Sequence, residues 1–405
     1  MTLAKLSVER LVHGGEALAH HEGRVVFLRG AAPGDVVEAE IAGEGRFERA
    51  RALRVLQPGA ARVQPPCPIV DRCGGCPLQQ VSYEAQLAAK QELTADALER
   101  IGGFPRGSYE LMPIVPSPQQ LHYRRRAVLH RVPGGWGFDA PRGGAGSAGD
   151  GRSPQGGALV AACLLFEPEL QRLADDVRRF KLTGATDLAL LAPGAVDVRG
   201  ELSKKHAEEL LAVARGVTLK GQTFGNPVVA DPPLPNGARL RSRPDTFAQA
   251  NRAAVPLLQA AALQALGDAQ RVLELFCGSG TLTLPMLGQR AVTAVENAGP
   301  SLSLLRRSAD EAGLPVRLVA GDAAEIARGH REKVDAVLLD PPRTGAAAVM
   351  PHLRAPRVVY VSCDAPTLAR DGRLLKALGY QLRRALPLDL FPQTAHYEVV
   401  AVFEQ

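Results

Sequence analysis

The chain has 405 residues, of which 46% are hydrophobic and 22% charged, as is ordinary for a folded protein of two or three domains. Lys and Arg outnumber Asp and Glu by 48 to 42, which suits an anionic partner. No apolar run is long enough to span a membrane and the first residues carry no apolar signal core, so a cytoplasmic protein without a membrane partner is expected. Without a secretory signal, the six cysteines favour metal binding or catalysis over disulfides: Cys67, Cys73, Cys76, Cys163, Cys277 and Cys363.

Residues 1–57 are predicted to form a small antiparallel barrel of the OB type. Short β-prone runs separated by segments rich in Gly, Pro and Asp are typical of such barrels, and here they cover Lys5–Leu11, Arg24–Leu28, Val36–Ile41 and Phe47–Leu56. The recurring arginines could follow RNA phosphates or form a solvated surface; they are Arg24, Arg29, Arg46, Arg49, Arg51 and Arg54. The stretch GGEALAHHEGRVVFLRGAAPGDVVEAEI resembles the TRAM domain, an RNA-binding barrel appended to RNA-modifying enzymes.

Three closely spaced cysteines open the next region, residues 58–245. Cys67, Cys73 and Cys76 are separated by five and then two residues, with two glycines between the last pair, which is a strong signal for thiolate coordination of a metal. Cys163 is the candidate fourth ligand, because the remaining two cysteines lie in the carboxyl half. The spacing alone leaves zinc and an iron–sulfur cluster open.

After these cysteines, Ser82 is a candidate N-cap for a helix that stops at Gly102. Strand-like runs are predicted at Tyr123–Val132, Leu159–Phe166, Asp187–Leu191 and Val217–Leu219, and the Gly-rich segment Pro133–Gly157 is predicted to be a long surface loop. The basic runs His122–Arg131 and Arg239–Arg243 are expected to contact RNA phosphates, the alternative being an exposed strand face.

From residue 246 onward the pattern predicts a Rossmann-like α/β domain, since strand, turn and helix alternate after Arg271. Gly278 and Gly280 follow the first strand, beside Phe276, where a backbone can approach a ligand closely. Carboxylates end the next strands, and each alone could be a helix cap: Glu296, Asp322 and Asp340. The ordered series resembles that of class I S-adenosylmethionine-dependent methyltransferases.

Cys363 ends a β-branched run at Arg357–Ser362. A cysteine at the carboxyl end of a strand in an open sheet can face the ligand cleft or be inert, and these residues alone do not decide. The motif around Asp340, VLLDPPRTG, also leaves methylation of an amine and methylation of a carbon open. Glu398 begins the last β-run, after His396.

Three further motifs resemble those of the RNA uridine-5-methyltransferase family: SRPDTFAQANRAAV, VSCDAPTLARD and LFPQTAHYEVVAVF. The resemblance implies Cys363 as nucleophile, Glu398 as general base, and a cofactor and base pocket containing Phe247, Gln249 and Asn251. It also implies a 4Fe-4S cluster on the cysteines at 67, 73, 76 and 163, which favours iron–sulfur over zinc. One departure is Asp364, where Asn is common in the family.

The chain is therefore predicted to have three domains: a TRAM-like barrel (1–57), a central α/β domain that contains the iron–sulfur cysteines (58–245) and a Rossmann-like methyltransferase domain (246–405). Its expected activity is methyl transfer from S-adenosylmethionine to carbon 5 of a uridine in RNA. The resemblance favours 23S rRNA, with tRNA as the nearest alternative and a non-catalytic RNA-binding assembly factor as a more distant one. No obligate protein partner is inferred.

Overall fold

A computed structural model describes residues 2–42, 47–140, 157–159 and 161–405. Their strands form three large sheets, of six, seven and eight strands, and one two-stranded sheet. No helix within these ranges is long and apolar enough to cross a membrane.

The amino-terminal sheet has six strands in the order β1-β5-β6-β4-β3-β2. The strands are β1 (Thr2–Ser7), β2 (Arg10–Leu11), β3 (Ala17–His21), β4 (Arg24–Arg29), β5 (Val36–Ala42) and β6 (Glu48–Gln57). Inward residues alternate with outward ones, as Val26 and Leu28 of β4 show by being fully buried. Strands β4 and β6 pair in parallel, so the sheet is mainly but not wholly antiparallel as predicted. The predicted barrel runs are confirmed as strands, but β3, which lies between the first two runs, was not predicted. Its inward residues Ala17 and Ala19 are too small to give a strong strand signal.

Helix α1 (Tyr83–Arg100) links this sheet to the rest of the chain. The Ser82 side chain accepts a hydrogen bond from the Ala85 amide at 3.3 Å, so the predicted N-cap is confirmed. The short strand β7 (Glu110–Leu111) follows. It pairs with β22 of the carboxyl-terminal sheet, although its residues belong to the predicted central region, 58–245.

The central sheet has seven strands in the order β10-β9-β8-β11-β12-β13-β14, and β15 pairs with β16 beside it. The elements are β8 (Arg126–Val132), β9 (Gly135–Asp139), β10 (Gly157–Leu159), α2 (Pro168–Val177), β11 (Ala185–Leu191), β12 (Ala195–Gly200), α3 (Lys204–Glu209), β13 (Gly216–Leu219), β14 (Gln222–Gly225), β15 (Val229–Pro233) and β16 (Arg239–Ser242). The predicted loop Pro133–Gly157 is wrong at both ends, because β9 pairs with β10; positions 141–156 lie outside the described residues. Among the described residues of the strand predicted at Leu159–Phe166, Leu159 is the last residue of β10, and Cys163 lies outside any helix, strand or turn.

Part of the predicted basic RNA surface is turned inward. Arg125 is 2% exposed and its guanidinium bonds Asp231 and the Ser242 hydroxyl. Arg241 is 6% exposed and pairs with Glu311. For these two arginines the expected phosphate contact is wrong, since a guanidinium committed to buried partners cannot reach a backbone outside.

The carboxyl-terminal sheet has the order β19-β18-β17-β20-β21-β23-β22-β7. Its elements are α4 (Val255–Leu266), β17 (Arg271–Leu275), α5 (Thr283–Met286), β18 (Ala291–Glu296), α6 (Gly299–Glu311), β19 (Arg317–Ala320), α7 (Ala323–Gly329), β20 (Ala336–Leu339), β21 (Arg357–Ser362), α8 (Ala365–Ala377), β22 (Gln381–Leu388) and β23 (Glu398–Glu404). Strands β17 to β21 pair in parallel, whereas β23 runs antiparallel to both neighbours. The predicted doubly wound sheet is confirmed, and its order reverses between β17 and β20, where ligands bind in such folds.

Candidate active site

The register of the sheet places Cys363 beside Glu398. Ser362, the last residue of β21, lies opposite Val399 of β23. Because β23 is antiparallel to β21, its first residue lies at the carboxyl end of β21, where Cys363 follows. Asp340 comes directly after the adjoining parallel strand β20. One edge of the sheet therefore carries a thiol and two carboxylates that are far apart in sequence.

The Cys363 thiol is only partly exposed, and its surroundings hold it in the protonated form. Burial, followed by the negative charge of Glu398, raises its pKa to about 11, against a smaller opposing effect of Arg343. A thiolate is the nucleophilic form of cysteine. To act as a nucleophile, Cys363 would therefore have to lose its proton.

The two carboxyl groups of this edge also favour their protonated forms. Glu398 is 5% exposed, and its burial, together with the nearby Asp340, raises its pKa well above the usual range. Burial raises the pKa of Asp340 to about 7. A carboxyl group whose pKa is raised toward neutrality is a better proton acceptor than an ordinary surface carboxylate.

Arg343 is a site residue that the sequence interpretation did not single out. Its guanidinium hydrogen-bonds the Cys363 sulfur, and its Nη2 donates to Nε2 of His396 at 3.2 Å. The pKa of His396 is lowered to about 4 by its enclosed position and by Arg343, so this ring is a neutral acceptor near pH 7. The only signal in the sequence was the position of Arg343 three residues after Asp340, in DPPRTG.

Asp364 caps the helix that follows the thiol. Its Oδ1 accepts a hydrogen bond from the Thr367 amide at 2.8 Å, and its Oδ2 lies 3.4 Å from Nε2 of His13 in the amino-terminal domain. Burial opposes ionisation of this carboxyl, but the bonds from His13 and Thr367 outweigh it and lower its pKa to about 2. Asp364 is therefore an ionised cap that also contacts the TRAM-like region.

The turn after β17 has the backbone conformation expected of a ligand cradle. Gly278 and Gly280 have φ angles of +55° and +93°, which favour glycine. A β-carbon on Gly278 would meet nothing within 4 Å, whereas one on Gly280 would lie 2.5 Å from Cδ1 of Leu305. Phe276 has a φ of +64° without being glycine, a strained conformation of the kind that clusters at binding sites.

Acidic residues surround this turn. Glu296 accepts hydrogen bonds from the Gly278 amide at 3.0 Å and the Ala298 amide at 2.8 Å. Glu274 is 1% exposed, its pKa is raised by burial to about 8, and its Oε2 has no hydrogen-bond partner among the described residues. A buried, unpartnered carboxyl oxygen beside a glycine turn fits a polar or cationic ligand.

Asp322, at the end of the third strand region, acts as a helix cap. Its Oδ1 accepts from the amides of Ala324 and Glu325 at 2.9 and 3.0 Å. The carboxyl is exposed at the same sheet edge as Glu296. It therefore caps α7 and is also placed to face a ligand that extends along this edge.

The motif SRPDTFAQANRAAV, residues 242–255, contributes both exposed and buried side chains. Phe247 is 61% exposed and Gln249 is 5% exposed. Asn251 is 1% exposed, donates to the Ser117 hydroxyl and the Leu390 carbonyl, and accepts from the Ala254 amide. The Asn251 side chain thus connects three chain segments, whereas the Phe247 side chain is largely exposed to solvent.

The four predicted cluster cysteines meet at one small cavity. Cys67, Cys73, Cys76 and Cys163 line it together with apolar side chains such as Phe138. Burial is the main cause of the raised pKa values of three of these thiols, and the neighbouring sulfurs add to it. As placed, no group of three or more His, Cys, Asp or Glu side chains in the described ranges could hold a metal ion. The donor set of four thiols in an apolar shell nevertheless fits thiolate-bound metal chemistry.

The outer face of the amino-terminal sheet carries exposed arginines. The side chains of Arg51 and Arg54 are 73% and 67% exposed, and they lie opposite Glu40 and Glu38 on the neighbouring strand. Arg24 and Arg49 are also exposed and paired with glutamates. Such surface pairs are weak, so these arginines can exchange a glutamate for a phosphate.

The chain is similar to known proteins over nearly its whole length. A methyltransferase-domain family model matches residues 272–346, and a TRAM-domain model matches residues 5–43. The 23S rRNA (uracil(1939)-C(5))-methyltransferase RlmD of Pseudomonas putida is 35% identical over 428 residues, covering 99% of this chain and 93% of that protein. The protein of the same name from Stenotrophomonas maltophilia is 33% identical, covering 98% and 96%.

Among solved structures, the tRNA (uracil-54, C5)-methyltransferase of Pyrococcus abyssi, in complex with S-adenosyl-L-homocysteine, superposes with a TM-score of 0.73. It is 20% identical and covers 99% of this chain and 100% of its own. At that identity the likeness concerns the fold, which is shared over the whole length.

Proposed function

The chain belongs to the family of RNA uracil-C5-methyltransferases, and we propose that it methylates carbon 5 of a uridine in 23S rRNA, with S-adenosylmethionine as the methyl donor. The observation that carries the proposal is the meeting of Cys363 and Glu398 at one sheet edge, beside the glycine turn. Carbon 5 of uracil is a poor nucleophile. Its methylation therefore requires a covalent catalyst and a base in one cleft.

In the proposed mechanism Cys363 is the nucleophile. Its thiol proton passes to solvent, its sulfur bonds to carbon 6 of the uracil, and the electron pair of the 5,6 double bond makes carbon 5 nucleophilic. S-adenosylmethionine would supply an electrophilic methyl group to that carbon, with S-adenosylhomocysteine as the leaving group. Arg343 favours the thiolate through its charge and hydrogen bond, so it assists the first step.

Glu398 is the proposed general base for the second half of the reaction. It removes the proton from carbon 5, the double bond re-forms, and the bond between sulfur and carbon 6 breaks to release Cys363. Burial raises the pKa of Glu398, which makes its carboxylate a stronger acceptor. Asp340 lies close enough to contribute to that shift and is placed to contact the donor or the base.

The residues proposed to hold the methyl donor surround the glycine turn. Gly278 and Gly280 allow the positive φ angles that shape the turn against the donor, Phe276 completes the turn, and Glu296 would face the ribose diol. Asp322 would face the adenine, and Gln249 and Asp340 the reacting end. The buried Glu274 carboxyl, whose pKa is raised to about 8 and whose Oε2 has no partner among the described residues, adds a polar group near the same turn.

We also propose that Cys67, Cys73, Cys76 and Cys163 bind a 4Fe-4S cluster, because they line one apolar cavity from separate chain segments. Such a cluster would supply a structural centre. Anaerobically purified protein should absorb visible light and contain iron. Cys163→Ser should lose both, whereas Cys277→Ser, which alters a cysteine outside the cavity, should keep them. A colourless protein with one bound zinc would contradict the cluster.

For the RNA, we propose that the exposed arginines of the TRAM-like sheet contact the backbone while Phe247 meets the target region. Phosphate contacts position an RNA without reading its sequence, so recognition of shape is expected. A ribosomal RNA substrate is consistent with the cytoplasmic location that the sequence predicts.

The activity is tested by incubating purified protein and S-adenosylmethionine with 23S rRNA or tRNA transcripts and analysing the nucleosides by mass spectrometry. We expect 5-methyluridine in 23S rRNA, none with Cys363→Ala, and a covalent methylated RNA adduct with Glu398→Gln. Product in tRNA alone would move the substrate to the alternative class. Full turnover by Cys363→Ala would overturn the mechanism.

A further inference from the structure

The segment that leads into Glu398 has an unusual backbone conformation. It connects β22 to β23, and within it Gln393 has a φ of +69° without being glycine. Such a conformation persists only where neighbouring groups hold it. Because Glu398 follows five residues later, whatever holds Gln393 also sets where the base enters the site.

The group that holds it is the carboxamide of Gln86 in α1. Gln86 is fully buried; its Nε2 donates to Oε1 of Gln393 at 3.0 Å, and its Oε1 accepts from the Gln393 amide at 3.0 Å. This two-way pair fixes both the side chain and the backbone of Gln393.

The same carboxamide reaches the segment that follows the cysteine cavity. Gln86 Nε2 lies 3.1 Å from the Leu78 carbonyl and 2.9 Å from that of Val81, and the Leu78 amide donates to the Gln393 carbonyl at 3.2 Å. Leu78 is only two residues after Cys76. Gln86 thus joins the segment carrying the base to the segment carrying the cavity cysteines.

Other contacts brace the same segment from the same side. The Tyr123 hydroxyl donates to the Pro392 carbonyl at 3.0 Å. Lys90 Nζ bonds Asp389 at 2.7 Å and lies 3.3 Å from the Phe391 carbonyl. These contacts hold the segment as a whole, whereas Gln86 acts on the left-handed turn itself.

We propose that Gln86 is a positioning residue that fixes the Gln393 turn and thereby Glu398, so that removal of the carbon-5 proton depends on it while addition of Cys363 and methyl transfer do not. The inference rests on the proposed function, since it assigns Glu398 the role of base. Gln86 touches neither the thiol nor the glycine turn, so the two halves of the reaction should respond differently to its loss.

The test compares Gln86→Leu with wild type on 23S rRNA transcribed with uridine or with 5-fluorouridine. A fluorine on carbon 5 cannot be removed by the base, so the fluorinated RNA reports only the steps up to methyl transfer. We expect wild-type rates of adduct formation on it. On uridine RNA, turnover should fall by up to about a hundredfold, as displacement of a catalytic group by an ångström can cause, and methylated adduct should accumulate.

A rescue variant and a control separate positioning from general damage. Gln393→Gly in the Gln86→Leu background should restore part of the turnover, because glycine adopts a φ of +69° without strain. Thr218→Val, which removes a buried bond to Asp197 in the central sheet, should accumulate no adduct. If Gln86→Leu does not fold, Gln86→Met carries the same comparison, since methionine is close to glutamine in size and removes both groups that bond Gln393.

Normal turnover by the Gln86 variant, or equal loss on both RNAs, would overturn the inference. Failure of the proposed function has a different signature: wild type would make no 5-methyluridine, and Glu398→Gln would trap no methylated adduct. The two failures are therefore distinguishable in one set of reactions.

Discussion

Replacing Arg343 with Met should make Cys363 less reactive by raising its pKa above the present value of about 11. A hydrogen bond from a charged donor contributes about 1.5–3 kcal/mol, and we take the lower end because Arg343 is exposed and solvent screens its charge. That corresponds to about one pKa unit and a roughly tenfold smaller thiolate fraction. The more basic thiolate is about threefold more nucleophilic, so alkylation should slow about threefold.

The assay is the pH dependence of iodoacetamide alkylation at Cys363, followed by peptide mass spectrometry, with Cys363→Ala as the blank. Below its pKa, the thiol should react faster as the pH rises, because the thiolate is the reactive form. The Arg343→Met profile should be displaced to higher pH. Formation of the adduct with 5-fluorouridine RNA should slow in parallel.

The opposite change provides the matched control. The Glu398 carboxylate raises the pKa of Cys363, so Glu398→Gln should displace the alkylation profile to lower pH wherever Glu398 is ionised in wild type. Arg343→Met and Glu398→Gln profiles displaced in the same direction, or neither displaced, would refute the electrostatic account of the thiol.

Three further predictions concern binding and stability. Gly280→Ala should abolish the stabilisation of the protein by S-adenosylmethionine in thermal unfolding, because its φ is +93° and a β-carbon would lie 2.5 Å from Leu305; an unchanged ligand-induced shift would count against the cradle. Asp364→Ala should lower the free energy of unfolding by about 1 kcal/mol through loss of the cap, whereas Asp364→Asn should stay near wild type in urea titrations. Lys90→Met should destabilise by about 3–5 kcal/mol by leaving buried Asp389 unpaired, and adding Asp389→Leu should recover most of that loss; no recovery would mean that the pair is not the cause.

The sequence predicted those site residues that can be recognised from their position directly after a strand. A glycine turn after a β-branched run, and a cysteine at the end of another, are visible because each strand of a parallel sheet places its following residue at one edge. Gly278, Gly280 and Cys363 are of this kind, and their placement at that edge follows from strand order alone. The missed strand Ala17–His21 shows the limit of the same signal, since two inward alanines are too weakly apolar to stand out.

What the sequence could not show is how distant segments fix the geometry of the residues it identifies. The family resemblance pairs Glu398 with Cys363, but the sequence does not show how they meet; the antiparallel pairing of β21 and β23 brings the start of β23 to the edge that bears Cys363. Likewise, Asp364 could be recognised as unusual, but its contact with His13, near the amino terminus, could not be predicted. Arg343, which lowers the pKa of the Cys363 thiol, is marked in the sequence only by its position after Asp340. Gln86, the residue proposed to position Glu398, is not marked at all, because electrostatic and conformational control act through space rather than along the chain.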